Sequence, residues 1–450
     1  MYCGYVTTLK NVRPHPNADK MKLADCFGNT VCVGLNAAEG EIVIYFPTDG
    51  QLSVEYCAKN DLVRRKDENG NPAGGYLDPD KRNIKAIKLR GEKSDGLTMP
   101  LESLAYTGVD LATLTVGTQV TVINGHEVCQ KYIPKTNVRT GRPSDGNKTR
   151  KHKVPVAPLF AEHADTEQLA YNLGAFKPGD QVEITLKMHG TSQRTGHLPT
   201  LQGYKKTFWE KITRKEGTPV YGWGGVSGTR RVVLEDYNGG FYGNNEFREQ
   251  HSKTFEGKLM KGETVYYEVV GFTTTGQPIM ATVSNKGVND KEFVKMYGDT
   301  TTFSYGCEPD ATPDKRSHMW VYRMTMTNPD GEVVEYTPDF MRYRCEQMFV
   351  DCVPLLWKGT IPEHPASKDD DTISAGDWII NKAEMFYDGP DLIDPRHVRE
   401  GVVVRILNRP TFKAFKHKNH NFKVIEGIAK DVADAPDMEE ADGTEDCESC

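Results

Sequence analysis

The sequence predicts an α+β fold in two parts, and three observations carry that prediction. Residues 1–125 consist of short β-branched and aromatic runs cut by Gly, Asn and Pro, the pattern of a small antiparallel barrel or sandwich. A connector rich in Gly, Pro, Ser and basic residues follows, spanning 126–153. From 154 to 428 strand-like and helix-like segments mix without an internal repeat, which predicts a second, larger domain.

In the first part, VCVGLN (31–36), EIVIYFPTDG (41–50), IKAIKL (84–89) and TLTVGTQVTVI (113–123) read as strands. DENGNPAGGYLDPDKRN (67–83) reads as a flexible insertion. In the second part, ADTEQLAYNLGAF (164–176) has a polar start, apolar residues at helical spacing and a Gly stop, which predicts a helix. YRCEQMFVDCVPLLW (343–357) predicts another. QVEITLKM (181–188), TVYYEVVGF (264–272), MWVYRMTM (319–326) and GVVVRI (401–406) predict strands.

The chain has 450 residues, with 56 Lys and Arg against 63 Asp and Glu, a net charge of -7. That balance argues against a nucleic-acid partner only if the charge is evenly spread. It is not. Residues 431–450 hold nine acidic residues and no basic one, so the remainder is close to neutral. The acidic segment 429–450 reads as a disordered tail that either keeps the protein soluble or competes with a polyanionic partner for basic surfaces. Between Lys131 and Lys153 the connector carries Lys131, Lys135, Arg139, Arg142, Lys148, Arg150, Lys151 and Lys153 against Asp145 alone. It is either a solvated interdomain loop or an arm that tracks phosphates.

A hydrophobic content of 37% supports real cores and excludes wholesale disorder. No basic-then-apolar leader opens the chain, and no stretch approaches the roughly 20 apolar residues that span a bilayer. A soluble, cytoplasmic protein with no membrane partner is expected. Of ten cysteines, only Cys447 and Cys450 form a tight pair; free thiols are expected throughout.

ITLKMHGTSQRTGH (184–197) holds the chemistry. Lys187 closes a β-branched strand, and a turn of small residues follows, whose backbone N–H groups could meet an anion. A lysine is a poor nucleophile at its ordinary pKa of roughly 10.4. Bringing it near neutrality costs about 4 kcal/mol, so further cations should converge on it. FKAFKHKNHNFKVIE (412–426) supplies Lys416 and Lys418, two apart and hence on one face of a strand. A triphosphate between them would relieve their repulsion. Glu400 enters a β-branched strand upstream and suits a divalent metal bridge. Glu268 sits in an apolar strand and needs a partner, a lysine or a ribose hydroxyl. Tyr322 offers a face for a purine. His417 and His420 lack the Cys or carboxylate set of a zinc site.

Taken in order, KMHG, YYEVVG, VYRM, EGVVVR and FKHK resemble motifs I, III, IIIa, IV and V of the covalent lysyl-nucleotidyltransferases, which comprise DNA ligases, RNA ligases and capping guanylyltransferases. His189 in place of the usual aspartate resembles the type-2 RNA ligase branch. A strand module before the catalytic domain, with KAIKLRGEKSDGLTMPL (85–101), resembles the Deinococcus-type nick-sealing RNA ligases. HPNADK (15–20) resembles the oligonucleotide/oligosaccharide-binding (OB) domains that bind tRNA, although a Pro-Asn turn entering a strand would look the same.

The resemblance implies an N-terminal OB-like β-barrel and an adenylation domain with antiparallel sheets. It implies an ATP-dependent RNA ligase that uses Mg2+ or Mn2+ and joins 3′-hydroxyl to 5′-phosphate RNA ends as a monomer, at nicked duplexes with RNA–DNA hybrids included. Lys187 would become adenylated. His189, Gly190, Glu268, Tyr322, Lys416 and Lys418 would bind ATP or AMP, and Glu400 the metal. SGTRRVVL (227–234) implies an arginine on AMP or on the incoming 5′-phosphate, Arg230 rather than Arg231. Arg323 stands where motif IIIa usually has Asp. The alternatives are a capping guanylyltransferase, a DNA ligase, and a non-catalytic protein of ligase fold that binds RNA ends.

Overall fold

The computed structural model describes residues 2–66, 68, 72–133, 154–209, 217–234, 236–237, 242, 245–367, 372–409 and 411–431. Most of the basic connector, nearly all of the acidic tail and the Cys447/Cys450 pair therefore lie outside the described residues. The chain divides into two compact units. One gathers the described residues within Met1–Thr136, Val283–Thr301 and Lys418–Pro436; the other gathers those within Asn137–Thr282 and Thr302–His417.

In the first unit, β1 (Gly4–Thr8), β2 (Lys10–Pro14), β3 (Lys22–Cys26), β4 (Asn29–Val33), β5 (Ile42–Phe46), β6 (Leu97–Pro100) and β7 (Gln119–Val120) are the main strands. They form an antiparallel sheet in the order β6-β5-β1-β7 and a second one, β2-β3-β4, with smaller two-stranded ladders beside them. No closed barrel is present among the described residues, whose strands in this unit group as small sheets; the expected OB-like barrel is not seen as such. Val6, Ile44, Phe46, Leu52, Tyr56, Leu104 and Val120 pack as its core. Helix α1 (Val54–Lys59) starts where the Ser53 hydroxyl accepts the Tyr56 N–H. The segment 113–123 is not one strand, because a 3-10 turn at Leu111–Thr113 and the left-handed Gly117 break it. Part of the 67–83 insertion is ordered: Arg64–Lys66 pairs with Pro72–Gly74.

HPNADK is knit to the hairpin at 86–95. The His15 ring meets the Leu89 carbonyl at 3.0 Å, and the Asn17 amide donates to the Arg90 carbonyl at 2.9 Å. The motif thus anchors a turn in this unit. Helices α3 (Lys291–Tyr297) and α6 (His420–Asp431) complete the unit. Phe422, Val424 and Ile425 of α6 are buried, and Ile428 packs on Gly287.

The second unit holds two larger sheets. The first runs β8 (Glu167–Gln168), β18 (Lys413–Lys418), β17 (Gly401–Ile406), β9 (Gln181–Lys187), β16 (Leu355–Thr360) across its width. The second runs β12 (Val233–Leu234), β11 (Thr218–Gly228), β10 (Thr191–Lys205), β13 (Glu263–Gly271), β14 (Ser317–Thr327), β15 (Val333–Glu335). Among the described residues β8 pairs with β18 in parallel, and the ladders of β9 with β16 and β17, of β10 with β11 and β13, of β11 with β12, and of β14 with β13 and β15 are antiparallel. Helices α2 (Glu246–Lys253), α4 (Pro338–Met348) and α5 (Ala375–Glu384) accompany them. Among the described residues no helix is long and apolar enough to cross a membrane.

Two helix expectations need correction. Residues 164–176 form β8 and two 3-10 turns, Leu169–Tyr171 and Leu173–Ala175. The Asn172 side chain bonds back to the Gln168 carbonyl at 2.8 Å, and residues 167–168 join β18, so the backbone has partners other than a helical ladder. The helix foreseen at 343–357 begins earlier, with Thr337 as cap and Pro338 in the first turn, and stops at Phe349 in a left-handed conformation; residues 355–360 are strand β16.

Candidate nucleotidyl-transfer site

Lys187 is the last residue of β9, opposite Gly401 in the ladder with β17. That register brings the residue before Gly401 to its side chain. Nζ of Lys187 lies 2.8 Å from Oε1 of Glu400, with the lysine side chain 15% exposed and the glutamate 1%. The sequence led us to expect cations around Lys187; Glu400 sets a carboxylate against it. Lys416 lies on β18, the strand beside β17, opposite Gln168 of β8. Lys418, two residues on, falls in the first unit, where Nζ meets both Glu426 oxygens at 2.8 Å and sits over the Phe422 ring.

After Lys187 the chain leaves one sheet and enters the other at Thr191, which pairs with Val269. Residues 188–190 make this crossing. Gly190 donates its N–H to Oε1 of Glu268 at 3.1 Å, and the Ser192 hydroxyl donates to Oε2 at 3.1 Å. His189 donates its N–H to the Tyr305 hydroxyl at 2.7 Å. These turn N–H groups serve protein partners, where the sequence suggested an anion. A Cβ on Gly190 would press on the Val269 carbonyl oxygen and come within 2.8 Å of Val270, so the crossing requires glycine. Behind it, buried Arg248 donates to the Ser192 carbonyl at 3.0 Å and the Thr191 hydroxyl at 2.6 Å.

Glu268 is buried on β13, and its partners belong to the Lys187 turn itself. Tyr322 sits at a bulge: β13 and β14 pair Tyr266 with Arg323 and then Tyr267 with Val321. A bulge re-aims its side chain. The Tyr322 ring meets the His163 ring edge-on at 5.3 Å. Arg323, the departure from motif IIIa, has a local reason. Its Nε is 3.0 Å and 3.1 Å from the Glu335 oxygens on β15, and the guanidinium lies over Tyr266 and Phe412. Burial opposes its charge, but the Glu335 bonds outweigh that and hold it above the ordinary arginine value.

Arg230 and Arg231 follow β11. Arg230 is clamped on Asp165, with Nε 3.0 Å from Oδ1, and is 14% exposed; Arg231 is 52% exposed and 3.9 Å from the same carboxylate. The Arg230 carbonyl accepts from Arg194, which is buried and stacks on Phe160. The structure thus collects Lys187, His189, Gly190, Glu268 and Glu400 around one turn, and sets Tyr322 and Arg230 on the neighbouring sheet through His163 and Arg194.

Sequence reasoning missed Tyr305, Phe303, His163 and Asp165. They lie in loops without a motif, and the Tyr305-Gly306 dipeptide was the one available turn signal. Tyr305 is buried; burial first, then the nearby carboxylates of Asp391 and Glu400, hold its hydroxyl well above the ordinary phenol value. It therefore keeps its proton. Among the described residues no three His, Cys, Asp or Glu side chains converge as a metal cage. The eight described cysteines are free thiols.

No family model and no curated protein sequence matches the chain. Solved structures do. The Naegleria gruberi RNA ligase with pyrophosphate superposes with a TM-score of 0.54 at 16% identity, covering 93% of this chain and 97% of that one. A mutant of the same enzyme with ATP and Mn gives 0.53 at 15% identity over 93% and 98%, and one with AMP and Mn gives 0.53 at 16% over 93% and 97%. At this identity the likeness concerns the fold, and this chain shares the mixed α/β fold with antiparallel sheets of an RNA ligase.

Proposed function

We propose that this chain is an ATP-dependent RNA ligase acting through a lysyl-AMP intermediate. The observation that carries the reading is the Lys187 turn. One strand end presents a lysine amine to Glu400, and the turn residues His189 and Gly190 are fixed by Tyr305 and Glu268. The fold shared with a ligase solved with ATP, AMP, pyrophosphate and Mn supports it.

In the first step the neutral Lys187 amine attacks the α-phosphorus of ATP. A P–N bond forms, the α–β bridging P–O bond breaks, pyrophosphate leaves and the amine proton passes to solvent. AMP next moves from Lys187 to an RNA 5′-phosphate, freeing the lysine. A 3′-hydroxyl then attacks the activated phosphate, forming the phosphodiester and expelling AMP. Positioning and charge neutralisation supply most of the acceleration in such phosphoryl chemistry.

Glu268 holds the ribose hydroxyls, Tyr322 stacks on the base, and Lys416 approaches the phosphates. His189 and Gly190 shape the turn, and Arg230 takes AMP or the RNA 5′-phosphate. A single carboxylate suffices for a hard divalent ion, so Glu400 would hold Mg2+ or Mn2+ without a protein cage. When bound, the ion would supply charge withdrawal from the phosphates. An opposite charge at hydrogen-bond distance keeps an amine in its charged form. Drawing Glu400 away therefore frees the Lys187 amine to react.

The finer reading is a monomeric cytoplasmic enzyme whose catalytic domain spans 154–428. It seals nicks, with RNA on the 3′-hydroxyl side, and its N-terminal module, with an OB-like role, holds the duplex. The test is incubation with labelled ATP or GTP and Mg2+ or Mn2+. An acid-labile protein–AMP adduct that Lys187→Ala abolishes is expected. Labelling by GTP alone, or an adduct that survives Lys187→Ala, overturns the reading. A panel of nicked, single-stranded and hybrid ends then tests the substrate.

A further inference from the structure

Residues 188–190 pass between two sheets and have no partners in either ladder, since the pairing of β9 ends at Lys187 and that of β10 begins at Thr191. Something outside the ladders must set the direction in which the chain leaves Lys187. Glu268 does this for Gly190. For His189 the task falls to a loop that no motif marks. The Tyr305 hydroxyl accepts the His189 N–H at 2.7 Å, and the Phe303 ring meets the His189 ring edge-on at 4.6 Å. On its far side the Tyr305 ring packs edge-on against His397 at 4.7 Å, and Phe303 does the same at 5.2 Å.

Tyr305 itself has φ +48°, a left-handed conformation that is costly for a bulky residue and persists only where the surroundings over-determine it. They do. The buried Asp394 carboxylate accepts the Ser304 hydroxyl at 2.5 Å and the Gly306 N–H at 3.1 Å, gripping the residues on either side of Tyr305. Arg396 closes on the same carboxylate at 2.8 Å and 2.9 Å. Burial opposes this charge, yet these bonds outweigh it and hold the Asp394 carboxyl well below the ordinary carboxylate range. The segment that carries Asp394, Arg396 and His397 runs directly into Glu400, the partner of Lys187. One stretch of chain therefore fixes both the carboxylate beside the lysine and, through Tyr305, the peptide two residues after it.

We propose that Tyr305 is a positioning residue for Lys187, holding the His189 peptide so that the lysine is aimed for attack during its own adenylation. This rests on the ligase reading and refines it: the device serves the step in which Lys187 is the nucleophile, and not the final step in which a 3′-hydroxyl is.

The experiment separates the steps in the full chain. Tyr305→Phe keeps the ring and removes the hydroxyl. The rate of protein–AMP formation at saturating ATP should fall about tenfold, with KM for ATP within about twofold. Sealing of a pre-adenylated RNA end, which bypasses Lys187 chemistry, should stay within about twofold of the wild type. Ser304→Ala, which loosens the grip of Asp394, should show the same split at smaller amplitude, and it is read in place of Tyr305→Phe if that variant does not fold. Unchanged adenylation, or equal loss in both steps, overturns the proposal. Absence of any adduct in the wild-type chain instead overturns the ligase reading.

Discussion

Lys187 and Glu400 form a nearly buried ion pair at 2.8 Å, across the last rung of the β9–β17 ladder. The pair sets a carboxylate, the one proposed to hold the metal, directly against the lysine amine. Glu400→Gln removes the charge and keeps the shape. We expect protein–AMP formation to fall by a hundredfold or more, because the proposed metal partner is lost, while labelled ATP still binds in a filter assay. Loss of ATP binding with the metal absent would instead assign Glu400 to the nucleotide.

Gly190→Ala is expected to remove adduct formation and to lower stability by about 1–3 kcal/mol, the usual cost of overpacking. The added methyl meets the Val269 carbonyl and the Glu268 side chain, so the turn must shift. Thermal melting and adduct yield check both. An alanine variant with normal labelling would mean that the crossing tolerates a different path.

His251 gives a pH dependence. It is buried, its ring nitrogen 2.8 Å from the Ser317 hydroxyl, and burial, with help from His318 and Arg248, lowers its pKa from 6.5 to about 4. The unfolded chain binds the proton more readily, so the stabilisation is complete above pH 6.5 and is lost as pH falls toward 4. That shift corresponds to about 3 kcal/mol. Denaturation midpoints measured from pH 7.5 to 4.5 should drop accordingly, and His251→Gln should flatten this part of the profile.

In the first unit, Asp95 is buried and takes His420 and Lys423 of α6, each at 2.5 Å. Burial works against its charge, but Lys423 and His420 prevail and bring the Asp95 pKa to about 2. The depressed value means that stability from Asp95 is present above about pH 3.8 and is lost as pH falls through about 2. Asp95→Ala leaves a nearly buried ammonium behind and should cost about 3–5 kcal/mol. Proteolysis of α6 at neutral pH reads the loss.

The legible part of this protein was the part written as local pattern. Lys187, Glu268 and Glu400 stand in or beside β-branched runs with small or charged punctuation, and the strands that carry Lys187 and Glu268, and the one that follows Glu400, lie where the pattern put them. Tyr305 was illegible because its meaning depends on a contact 116 residues away. Residues 164–176 misled because helical spacing competes with an asparagine that satisfies its own backbone, which composition alone does not reveal. Lys418 looked like the twin of Lys416, yet its partner is a glutamate in the following helix.

The strand β18 and the helix α6 adjoin in sequence but belong to different units, and Val283–Thr301 makes a second excursion into the first unit. During synthesis the N-terminal 136 residues emerge with the Asp95 site lacking His420 and Lys423, and with Gly287 and Ile428 still to come. The unit that holds residues 2–133 is thus completed only after residues 283–301 and 418–431 have been made. A fragment ending at residue 136 should be expressed as an unstable intermediate, whereas the same unit would need the two later segments supplied, in trans or by fusion, to reach its native state.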